Sequence, residues 1–183
     1  MFVGAAVFLT LLMGSTAAMA ASPHLKGRNP VSFTDNGLTL TATASYAGLG
    51  NFDTLQTLTA TGGTVSTCTT PSGSNEAPGQ NPAPVTLVGS TPVLASDIKN
   101  GNVTISTTTA APTSPVPGSP GCPNSSWIER ITDVSFTAAT ITVSQDQDAD
   151  GVFETVVLTV NCTFSPPTSN GSVPMSGFTC TTA

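Results

Sequence analysis

Apolar and polar residues alternate with a period of two over much of the chain. Leu38, Leu40, Ala42, Ala44 and Tyr46 alternate with Thr and Ser, the pattern of a strand with one buried face. Asp35-Asn36-Gly37 is a turn signal just before this run, and Gly48-Leu49-Gly50-Asn51 breaks it. Residues 52–61 form a second predicted strand, with Phe52, Leu58 and Ala60 on one face. Gly62-Gly63 marks a bulge or a turn, and residues 64–70 form a third strand that carries Cys68. Residues 85–88 and 92–94 read as short strand pieces. Lys99-Asn100-Gly101-Asn102 is a tight-turn signal, because Asn-Gly accepts positive φ, and it leads into a Thr-rich strand through Val103 and Ile105.

The strongest pattern lies in residues 141–164, which read as a β-hairpin. Before it, Val134 and Phe136 occupy even positions, whereas Ile141 and Val143 occupy odd ones. A straight strand cannot turn both pairs inward, so a β-bulge is predicted near Ala138-Ala139. On the return strand Val156, Leu158, Val160, Cys162 and Phe164 share one face. Residues 71–84, 111–123 and 165–177 are rich in Pro, Gly and Ser and read as loops, and residues 177–182 as a last strand with Cys180. After the first twenty residues no ten-residue window carries a convincing apolar helical period. The predicted fold is therefore all-β: an antiparallel β-sandwich or partly open barrel with long Pro/Gly/Ser loops.

The first twenty residues stand apart. An apolar run from Phe2 to Met13 is too short to span a bilayer, and Ala18-Met19-Ala20 fits a secretory cleavage site. Residues 1–20 are thus read as a secretory signal, with an uncleaved anchor or a buried strand as the alternatives. Residues 21–30 hold the only histidine, His24, and two of the basic residues, and read as a flexible leader. The remainder, residues 31–183, is the size of one domain. A net charge of −6 with only four basic residues argues against nucleic acid and anionic lipid as partners. No membrane span is expected after cleavage; a partner in the cell envelope or outside the cell is compatible, and the oligomeric state is open.

The four cysteines, Cys68, Cys122, Cys162 and Cys180, suit an oxidising compartment and allow three pairings. Cys162–Cys180 is favoured because it closes a short excursion after the hairpin. Cys68–Cys122 would then tie an early strand to the proline-rich loop. Zinc is the competing use of these residues, but no C-x-x-C pair exists and His24 is the lone histidine.

The hairpin loop concentrates acid in a chain that is otherwise poor in charge. Asp146, Asp148 and Asp150 take the first, third and fifth positions, Gly151 the sixth and Glu154 the ninth. Alternate side chains in a tight loop converge, glycine permits the bend, and the backbone carbonyl of Val152 is a further oxygen donor. Hard oxygen ligands of this number suit Ca²⁺. The twelfth position is Val157, so the loop is not an EF-hand. It resembles the D-x-D-x-D-G-x-x-[DE] loops of integrin-type FG-GAP repeats, and the resemblance implies a calcium site with the ninth residue as last ligand. Without an ion the loop is a solvated acidic turn.

Cys122-Pro123-Asn124-Ser125-Ser126-Trp127 resembles a segment of uncharacterised small secreted bacterial β-rich proteins, in which C-P-N-x-x-W precedes a final hairpin. That resemblance implies an extracellular β-domain and no assigned activity. Trp127, the only tryptophan, is a core or loop anchor, or a stacking site for a sugar. No nucleophile–base pair is available without His24. Asp97, Glu129 and Asp133 are the carboxylates that a hydrolase would use. N-x-S/T motifs start at Asn102, Asn124, Asn161 and Asn170. The expectation is a non-catalytic secreted or cell-surface domain with a structural or interaction role, stabilised by calcium and disulfides. A carbohydrate- or protein-binding module and a carboxylate-dependent hydrolase are the alternatives.

Overall fold

The computed structural model describes residues 22–73, 75–79 and 83–183, so the predicted signal segment lies outside the described residues. Two antiparallel sheets face each other as a β-sandwich, without barrel closure. The first sheet is short-stranded. It comprises β1 (His24–Leu25), β2 (Val31–Asp35), β3 (Leu40–Ala47), β7 (Val103–Thr108) and β10 (Gly171–Ser172). β3 is its centre: β1 and β2 share one edge and β7 takes the other. The second sheet is built on two long strands, β4 (Asp53–Thr69) and β8 (Ile128–Asp146). β9 (Thr155–Phe164) and β11 (Phe178–Thr182) continue from β8, while β6 (Val85–Val93) and β5 (Glu76–Pro78) divide the free edge of β4.

The period-two pattern is what puts the core between these sheets. Phe33, Leu40, Ala42, Ala44 and Tyr46 point inward from the first, and Leu58, Ala60, Val134, Phe136, Ile141, Val143 and Val160 from the second. The rings of Phe164 and Phe178 each meet the ring of Phe33 edge-on at 5.0 Å. A buried polar chain crosses the same space. The Tyr46 hydroxyl donates to Gln56 Oε1, Gln56 Nε2 donates to Thr107 Oγ1 at 2.8 Å, and Thr107 Oγ1 donates to Thr91 Oγ1 at 2.9 Å. It joins β3, β4, β7 and β6, hence both sheets. The outer faces are hydroxyl-rich instead, with cross-strand pairs such as Thr41–Thr108, Thr43–Ser106 and Ser45–Thr104.

Several elements differ from the sequence reading. The two strands expected over residues 52–61 and 64–70 are one strand, β4, and Gly62 lies opposite a bulge in β8 rather than in a turn. A Cβ at Gly62 would lie 2.7 Å from the Ser135 carbonyl oxygen, so only glycine fits that approach. The matching slip on β8 leaves Thr137 unpaired. This is the predicted change of parity, one residue earlier than Ala138-Ala139, and it turns Phe136 and Ile141 into the same core. A second slip between β4 and β8 leaves Thr132 unpaired, and a third, between β8 and β9, makes Val157 the extra residue on β9. Val156, expected in the core, is 57% exposed as a result, while Leu158, Val160, Cys162 and Phe164 are buried. The two pieces at residues 85–94 are one edge strand, where Pro92 needs no donor on its free side. Residues 21–30, expected as a flexible leader, carry β1, whose His24 and Leu25 pair with Ala47 and Tyr46.

Candidate metal centre

β8 and β9 end in the acidic loop. Asp146 is the last residue of β8 and is 7% exposed, whereas Asp148 and Asp150 are exposed. The loop is shaped by its own first carboxylate. Asp146 Oδ1 accepts the Asp150 N–H at 3.2 Å, and Oδ2 accepts the Gly151 N–H at 2.8 Å. Asp150 Oδ1 in turn accepts the Val152 N–H at 2.8 Å, a local turn that Asp favours. Ala149 and Gly151 have φ of 61° and 87°, the left-handed geometry for which glycine is suited at the sixth position.

This backbone brings one carboxylate oxygen each from Asp146, Asp148 and Asp150 within 4.8 Å of one another. Glu154 is exposed and is not a member of that cluster. It stands immediately before β9, after the turns at residues 149–152 have redirected the chain. Val152 joins the loop through its N–H. A further carboxylate lies opposite: Asp53 pairs with Asp146 across β4 and β8, and its Oδ1 accepts the Ala95 N–H at 2.7 Å. Like charges face each other there without a basic side chain among these contacts. At an effective dielectric near 20, two carboxylates about 5 Å apart repel by about 3 kcal/mol. An all-oxygen donor set with this repulsion fits a hard divalent cation such as Ca²⁺.

The comparisons with known proteins give no relative. No family model, curated protein or solved structure matches the chain. Function therefore rests on the arrangement of its own residues.

The other candidates are scattered. His24 lies on β1, exposed, with Nδ1 bonded to the Ser22 carbonyl at 2.7 Å. Asp97 is exposed on a short 3₁₀ turn, Ala95–Asp97. Asp133 Oδ1 is buried without a hydrogen-bond partner. Glu129 is four positions earlier on β8, about 13 Å along the strand. It is 2% exposed, and its oxygens accept the Ser66 hydroxyl and the Gly121 N–H, both at 2.9 Å. Trp127 is half-buried; its N–H donates to the Asn124 carbonyl, and its own carbonyl accepts the Ser119 hydroxyl. The cysteines pair as Cys68–Cys122 and Cys162–Cys180. The second bridge joins directly opposed residues of β9 and β11. Local spacing pointed to the acidic loop and to these pairings. The Glu129 tie to Ser66 and Gly121 had no such signal, because its partners come from distant parts of the chain.

Proposed function

We propose that this chain is a non-catalytic extracellular or cell-surface domain with a structural or interaction role, stabilised by disulfides and by a calcium ion at the hairpin tip. The observation that carries this reading is the convergence of Asp146, Asp148 and Asp150 at the exposed end of two long strands. Two disulfides fit an oxidising environment, and no helix among the described residues is long and apolar enough to cross a membrane.

Asp146, Asp148 and Asp150 would hold the ion. Water, the Val152 carbonyl or Glu154 would complete its oxygen shell. The ion would supply positive charge that turns carboxylate repulsion into attraction and fixes the β8–β9 turn. Nothing in this role needs a nucleophile or a general base. Thermal unfolding with and without calcium tests it. Calcium at ten times its dissociation constant adds about 1.4 kcal/mol, and an Asp148→Asn, Asp150→Asn variant loses that gain. A wild-type midpoint unmoved by millimolar calcium, the working range of many extracellular modules, rejects it.

A further inference from the structure

The two sheets are unequal in length. β4 has 17 residues and β8 has 19, whereas β3 has 8. At about 3.3 Å per residue the long strands must overrun the first sheet by tens of ångströms. The inner face of that overhang, at Thr64, Ser66 and Cys68, is roofed by the proline-rich segment over residues 110–121. Cys68–Cys122 pins this roof, and the Val116 N–H donates to the Glu129 carbonyl beneath it at 2.8 Å.

Roof and sheet leave a cleft of about 650 Å³, a size typical of small-molecule sites. Val85, Leu87 and Ile131 line it from the sheet, and Pro112, Val116 and Pro117 from the roof. Glu129 is the one ionisable residue in its described lining. Its two hydrogen-bond donors, Ser66 Oγ and Gly121 N, are both neutral, and among the described residues no cation contacts it. A carboxylate has about four acceptor positions, so two remain. A buried carboxylate without a counter-charge is unfavourable, and a ligand that brings one gains what the fold leaves unmet.

We propose that this cleft binds a small organic ammonium ion with an apolar body. The apolar body packs against the valine, isoleucine and proline walls, and the ammonium donates to Glu129. The proposal extends the interaction role given above to a second site at the opposite end of β8, and it does not depend on calcium.

The test uses the purified disulfide-bonded protein in excess calcium, titrated with n-hexylammonium, 1-hexanol and hexanoate by calorimetry or by amide chemical shifts. Hexylammonium is expected to bind at least tenfold more tightly than hexanol, and hexanoate not at all. Glu129→Gln should bring hexylammonium to the level of hexanol, and Val116→Trp, which fills the cleft and keeps Glu129, should weaken both. Asp148→Asn, Asp150→Asn should change neither; loss of amine binding there would place the amine on the acidic loop and overturn the proposal. Equal binding of the three wild-type ligands, or no binding at millimolar concentrations, also overturns it, whether or not the Glu129 variant folds.

Discussion

The two ends of β8 carry the same chemistry in opposite settings. At its start, Glu129 is buried and bonded to neutral donors from β4 and from the proline-rich roof. At its end, Asp146 meets Asp148 and Asp150 in an exposed loop and faces Asp53 across the sheet. The first acid is held by long-range contacts that a disulfide secures. The second is held by a loop closed within nine residues. One end is ordered by covalent chemistry and the other by electrostatics, so the two should respond to different perturbations.

The largest expected effect separates them covalently. Replacing Cys68 and Cys122 together by Ala removes a link across 54 residues, which the chain-entropy model values at about 4 kcal/mol. Denaturant unfolding should show that loss, with the calcium-induced gain unchanged. A calcium response that disappears with this bridge would mean the two ends are coupled. The Cys162–Cys180 bridge spans 18 residues and should contribute less, about 3 kcal/mol.

The acidic end was legible in sequence because its ligands lie at alternate positions of one loop. The core was legible where alternation was unbroken, as from Leu40 to Tyr46. Bulges hid the rest. The slip that leaves Thr137 unpaired was visible as a change of parity, but the one at Val157 was not, because Val156 and Leu158 keep an unbroken period. At the Glu129 end the Cys68–Cys122 tie was legible, but the contacts of Glu129 itself were not. Ser66, Gly121 and Glu129 meet only because β4 pairs with β8 and Cys68 draws in the roof. The inward face of β2 was missed for a related reason: its buried Asp35 is satisfied by the Gly37 N–H and by Thr168, which lies far along the chain.

A middle-sized effect comes from the chain of hydrogen bonds between the sheets. Tyr46→Phe leaves Gln56 Oε1 without its donor and should cost about 2 kcal/mol. Burial raises the Tyr46 hydroxyl above its ordinary pKa of about 10. The folded state therefore prefers the neutral phenol, so the stability linked to it is complete below pH of about 10 and is lost as pH rises further. Unfolding free energies measured from pH 8 to 11 should fall more steeply for wild type than for Tyr46→Phe.

The smallest effects lie in the loop. Asp150→Asn should forfeit most of the calcium gain, yet without calcium it should change stability by less than about 1 kcal/mol, because removing repulsion offsets a lost acceptor. Gly151→Ala, at a φ of 87°, should cost about 1 kcal/mol with or without the ion. Thermal midpoints in calcium and in chelator separate the two variants.

The most direct measurement of the calcium claim is residue-resolved amide hydrogen exchange of the wild-type protein with and without calcium. The Asp150 and Gly151 amides, which donate to Asp146, should become more protected with calcium, while the Val116 and Gly121 amides at the other end of β8 should not respond. Unchanged protection at Asp150 and Gly151 in millimolar calcium would contradict the account and leave the loop an acidic turn.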